Sequence, residues 1–113
     1  MRSLFVISLL VFGLAATAHR VEGADVRMYI RHEVGDYTTW RKTYDAFDAT
    51  RKKLGVTGQA VYRSVDNPND VTVTHDFDDA DAARAFFSSD DLKGAMEAAG
   101  VQLDSLQIWY VNA

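Results

Sequence analysis

Apolar and polar residues alternate from Val26 to Glu33, with Val26, Met28, Ile30 and His32 on one face and Arg27, Tyr29, Arg31 and Glu33 on the other. Period two predicts a strand. Gly35-Asp36 breaks it, and Asp36 is suited to cap a helix. The spacing then becomes helical. Tyr37, Trp40, Tyr44, Phe47, Arg51 and Leu54 recur at intervals of three and four, which predicts one helix over 37–54 with an aromatic face. Arg51-Lys52-Lys53 in its last turn suit the negative end of the helix dipole, and Gly55 is a stop.

Alternation returns over 57–65 and again from Val71 to Phe77, with Asp66-Asn67-Pro68-Asn69-Asp70 as a strong turn between them. These two strands predict a hairpin. Asp78-Asp79 opens a second helical region with Ala82, Ala83, Phe86 and Phe87 on its apolar face. Ser88-Ser89 interrupts it, and Asp90-Asp91 opens a short helix that stops at Gly100. A last strand is expected from about Gln102 to Val111. The order βαββαβ is the ferredoxin-like, split βαβ arrangement: an α+β fold with a four-stranded antiparallel sheet and helices on one face.

Helices on one face leave the other uncovered. Tyr29, Tyr62 and Trp109 or their opposite-face neighbours would then form an apolar patch, and such patches mark interfaces. A homodimer packed through its sheets, closing an α+β barrel, is the expected assembly, the rival reading being a monomer whose free face is wetted through Thr72, Thr74, Arg27 and Arg63.

The start of the chain reads differently. Arg2, an apolar run over 4–16 and the small-x-small end Ala16-Thr17-Ala18 are the parts of a secretory signal peptide. The run is short for a membrane span of ~20 residues. Export to the periplasm or outside the cell is expected, with cleavage after Ala18, a leader over 19–25 and one domain over 26–113. No membrane association is expected after cleavage. Removing Arg2, the one charged residue of that segment, takes the formal charge from −4 to −5. The mild acidity argues against nucleic acid, which needs clustered Lys and Arg.

His32 and His75 share the parity of the buried apolar residues, so both can face a pocket and serve as a general base. In this topology they lie at opposite ends of neighbouring strands, roughly 10–15 Å apart at ~3.3 Å per residue, too far for a shared metal. Satisfied core histidines are the plainer alternative. Tyr37, Trp40, Tyr44 and Phe47, with Trp109 from the last strand, are candidates to line a pocket for a flat ligand, core packing being the rival reading. Trp109 and Tyr110 point to opposite faces, one toward the pocket and one toward the dimer contact. Asp76, Asp78, Asp79 and Asp81 lack calcium-loop spacing and suit a helix start instead, so no metal is expected. The chain is too small for a Rossmann-type unit, and no flavin or nicotinamide cofactor is expected.

Tyr29-Ile30-Arg31-His32 through Asp36-Tyr37-Thr38-Thr39-Trp40 resembles the start of antibiotic-biosynthesis-monooxygenase-type domains, the dimeric α+β barrels. Val61-Tyr62-Arg63-Ser64 with its turn, Ala82-Ala83-Arg84-Ala85-Phe86, Leu92, Ala95-Met96 and Ala99-Gly100-Val101 continue the likeness. The resemblance implies a homodimer with a small cavity in each subunit between helices and sheet. It also implies cofactor-independent oxygenation or cyclisation of an apolar or aromatic molecule, or else a non-catalytic or stress-associated binding module. Haem-degrading relatives place an Asn on the first strand, and this first strand has none.

Overall fold

The computed structural model describes residues 25–113. The expected export segment and all but the last residue of the leader lie outside the described residues. Strands β1 (Val26–Val34), β2 (Gly58–Arg63), β3 (Asp70–Phe77) and β4 (Val101–Asn112) form one antiparallel sheet in the order β2-β3-β1-β4. Helices α1 (Tyr37–Ala46), α2 (Asp48–Lys53), α3 (Ala80–Phe87) and α4 (Asp90–Ala98) complete the ferredoxin-like α+β fold.

Helix starts follow the expected chemistry. The Asp36 carboxylate accepts from the Thr39 N–H at 2.9 Å, Asp79 from the Ala82 N–H at 2.8 Å, and the Ser89 hydroxyl from the Leu92 N–H at 3.1 Å. Gly100 ends the last helix at φ +80°, a left-handed conformation that glycine adopts without a Cβ clash.

The helix expected over 37–54 is two helices. They break at Phe47, whose φ of −85° and ψ of 0° leave the helical range. Arg51 sits at this break. Its guanidinium donates at 2.6 Å to the Tyr44 carbonyl, which also accepts from the Phe47 N–H at 3.2 Å in place of the residue-48 N–H of a continuous helix.

The period-two pattern divides the sheet as the sequence predicts. Val26, Met28, Ile30, Val71, Val73 and Phe77 are buried beneath the helices, together with Phe86 and Leu92 from above. Leu106, Ile108 and Tyr110 of β4 pack against the same core. The opposite face has no helix over it among the described residues. There Tyr29 and Trp109, directly paired across β1 and β4, stack with ring centroids 5.2 Å apart and planes within 2°. Trp109 is 42% exposed and Tyr62 58%. Ion pairs flank the stack, Arg27 to Asp76 at 2.7 Å and Arg31 to Asp70 at 2.6 Å.

One irregularity shapes the sheet. Arg31 pairs with Gln107 but Glu33 pairs with Gln102, so β4 bulges over the intervening residues. Ser105 closes the bulge, accepting from the Glu33 N–H at 2.8 Å and donating to the Gln102 carbonyl at 2.6 Å.

Candidate functional site

A cavity of about 40 Å³, open at its mouth, lies between the four helices and the sheet. Its floor is Ile30 and His32 of β1 with Val73 and His75 of β3. These four share one sheet face because they alternate along antiparallel neighbours. Trp40 and Tyr44 form one wall, Phe86 and Leu92 the other, and half-buried Thr43, Phe47 and Met96 contribute to the rest. Small-molecule sites are mostly apolar with a few placed polar groups, and this lining has that character.

Aromatic rings run continuously through it. His32 meets Trp40 edge-on at 5.8 Å, Trp40 stacks on Tyr44 at 4.9 Å, Tyr44 on His75 at 6.4 Å, and His75 meets Phe86 at 5.1 Å. The register pairs Met28 with His75 and His32 with Val71, so the two histidines sit four residues apart along β1. At the strand rise of ~3.3 Å per residue they stand at opposite ends of the cavity floor, as expected.

Four buried polar atoms have no hydrogen-bond partner among the described residues: His32 Nδ1, the Tyr44 hydroxyl, and both ring nitrogens of His75. All belong to residues lining the cavity. Buried polar groups are normally paired, and their concentration here makes this cavity the candidate site. Burial, reinforced by the Arg51 charge, lowers the His75 pKa to about 3. Burial also lowers that of His32 and raises that of Tyr44. At neutral pH both imidazoles are therefore uncharged and the phenol keeps its proton.

Sequence reasoning missed Arg51. Its place on the aromatic face was visible, but the basic run around it reads as a solvated helix end. The side chain is instead 2% exposed and lies on the cavity wall. Its guanidinium carbon sits 3.8 Å from the Tyr44 ring centroid, and besides the Tyr44 carbonyl it donates to Gln59 Oε1 at 2.8 Å and Asp48 Oδ1 at 3.3 Å.

Two residues expected at the pocket are elsewhere. Trp109 is on the opposite face of the sheet, because its cross-strand partner Tyr29 carries the outward parity of β1. Tyr110, its neighbour, is the one that faces the helices. Tyr37, in the first turn of α1, lies beneath the Arg63 guanidinium at 3.7 Å and accepts from Arg41 at 3.2 Å, beside the cavity and not in its wall. His32, His75, Trp40, Tyr44 and Phe47 all line it. Among the described residues no group of three or more His, Cys, Asp or Glu side chains is placed to hold a metal, and no helix is long and apolar enough to cross a membrane.

No family model and no curated protein matches the chain. Solved structures do match. SnoaB, a cofactor-independent oxygenase from Streptomyces nogalater, is 17% identical with a TM-score of 0.66, over 80% of this chain and 93% of that one. A Caulobacter crescentus protein classed with the antibiotic biosynthesis monooxygenases is 17% identical with a TM-score of 0.65, over 84% and 97%. A dimeric ferredoxin-like protein of unknown function from Jannaschia is 13% identical with a TM-score of 0.62, over 79% and 99%. At these identities the likeness is one of backbone, and it agrees with the element order and sheet topology above. The described chain thus has the ferredoxin-like fold of the antibiotic biosynthesis monooxygenase-like proteins.

Proposed function

We propose that this chain is an exported homodimer that binds a flat, mostly apolar aromatic molecule and oxygenates or cyclises it without a cofactor. One observation carries the reading: the cavity gathers four unpartnered buried polar atoms within aromatic walls. A fold shared with a cofactor-independent oxygenase supports the reaction class. The uncovered sheet face with its Tyr29–Trp109 stack supports the dimer, as does the dimeric assembly named for a protein of the same fold. Export rests on the sequence pattern of residues 1–18 alone.

The chemistry asks little of the protein. Its tasks are to hold the ring system, exclude bulk water and accept one proton. His75 is the proposed base. A ring nitrogen takes a proton from an activated methylene, and the C–H electron pair delocalises into the substrate as an enolate. Imidazolium is unfavourable in the empty cavity, but here it forms together with an anion beside it. Dioxygen then oxidises that carbon: both methylene hydrogens leave, one oxygen becomes a carbonyl and the other leaves as water. His32, at the far end of the floor, orients the substrate.

The test is oxygen uptake with a tricyclic anthrone, whose methylene is activated by the flanking rings. Wild type should accelerate uptake above the buffer rate, and His75→Ala should lose that acceleration while keeping its fold. Binding without acceleration would leave a non-catalytic binding module. Native mass spectrometry of the protein from its own host's exported fraction tests the remainder: a dimer of chains beginning at His19 is expected, and a monomer retaining Met1 would overturn export and assembly.

A further inference from the structure

Resting on the reading of this cavity as a small-molecule site, we propose that Arg51 selects an aromatic ligand bearing an ionised oxygen, held against its guanidinium and the Tyr44 hydroxyl.

Arginine has five N–H donors and no acceptor. Three of Arg51's are used, one each on Gln59, Asp48 and the Tyr44 carbonyl, and two remain on a side chain in the cavity wall. Its charge is poorly compensated. The Asp48 carboxylate is 3.3 Å away and 40% exposed, and it also serves Lys52 at 3.2 Å and the Gln59 amide at 3.2 Å. A buried cation with a shared, half-exposed counterion favours an arriving anion. Apart from Asp48, the groups around it do not oppose one. The Tyr44 hydroxyl is buried without a partner and available to donate, and His75 is neutral. Asp76, the carboxylate acting on His75, is bound to Arg27 of the neighbouring strand. The aromatic walls accept the ligand's rings, and the guanidinium and phenol accept its oxyanion.

The sign of one measurement decides this. 4-Nitrophenol changes colour on ionisation, and 4-nitroanisole is its neutral counterpart. Equilibrium dialysis gives their affinities for wild type, and absorbance across pH 5–9 gives the ionisation of bound 4-nitrophenol. Over that range Tyr44 stays protonated and His75 uncharged. The phenolate should bind about tenfold more tightly than the phenol, a charge-assisted bond's worth, so the bound probe ionises at lower pH than the free one. A merely apolar cavity would do the reverse, since burial disfavours the charged form.

Ionisation shifted upward or unchanged, or 4-nitroanisole binding as tightly as the phenolate, would overturn the anion preference and leave the pocket reading intact. Binding of neither probe would sink both. Arg51→Lys should keep the downward shift and Arg51→Met should reverse it. A folded Arg51→Met protein that kept the shift would remove Arg51 from the role. If that variant does not fold, the sign in wild type still decides.

Discussion

Arg51 holds Tyr44 at two points, covering its ring face at 3.8 Å and donating at 2.6 Å to its backbone carbonyl. One side chain thereby sits at the helix break beside Phe47, holds the ring that walls the cavity and places a charge beside it. Replacing it leaves Gln59 Oε1 without its donor and the Tyr44 carbonyl with only the longer bond from the Phe47 N–H at 3.2 Å. We expect Arg51→Ala to lower stability by about 3 kcal/mol and Arg51→Lys by about half as much, since an ammonium cannot reproduce the planar fork. Urea midpoints at constant slope check the order. An alanine variant as stable as wild type would show that the helix break does not depend on Arg51.

Acid should unfold this protein through its histidines before its carboxylates. The His75 pKa is about 3 when folded, against an ordinary value of 6.5. Below pH 6.5 the unfolded chain binds a proton that the folded chain refuses, so stability falls as pH drops from 6.5 toward 3 and is fully present above 6.5. His32, also lowered, adds in the same direction. Asp36, Asp48 and Asp70 have pKa values lowered from 3.8 and act only at the acid end of that window. Melting temperatures between pH 4.5 and 7.5 should show the slope, and His75→Gln should flatten much of it. An unchanged slope in that variant would contradict the burial of a neutral imidazole.

Trp109 has no part in the cavity, which separates assembly from binding. Trp109→Glu puts a charge on the uncovered face and should weaken self-association at least about tenfold in sedimentation velocity. Within the subunit it should cost about 1 kcal/mol, from the lost stack on Tyr29. Binding of 4-nitroanisole within a subunit should persist. A wild-type chain that sediments as a monomer at all concentrations would dispose of the proposed dimer.

Ser105 fastens the β4 bulge by one accepted and one donated hydrogen bond. Ser105→Ala should cost about 1 kcal/mol, and amide exchange at Glu33 should rise. An unchanged exchange rate would mean that the bulge holds itself.

Much of this architecture is legible in the residues. Period two along β1 and β3 assigns His32 and His75 to the inner face without any knowledge of the sheet, and Asp36 and the 66–70 turn mark where elements begin and end. What escapes is whatever depends on a distant partner. Arg51 looks like part of a basic helix end because nothing local tells of Gln59, eight residues on, as its acceptor. Trp109 and Tyr110 alternate plainly, yet which of them faces the helices is decided by pairing with Tyr29 and Met28. The β4 bulge contains no glycine or proline to announce it. The break at Phe47 likewise coincides with a side chain reaching back to a carbonyl, which no propensity encodes.

The strand order has a kinetic consequence. β1 lies between β3 and β4, and Val26 pairs with Asn112. During synthesis one side of β1 can pair once β3 is made, but the other stays open until β4 exists. Pairing so far apart in sequence is slow to form. Until then the chain presents an open strand edge, the feature most prone to mispairing. A chain truncated before Val101 should therefore aggregate rather than persist as a three-stranded domain.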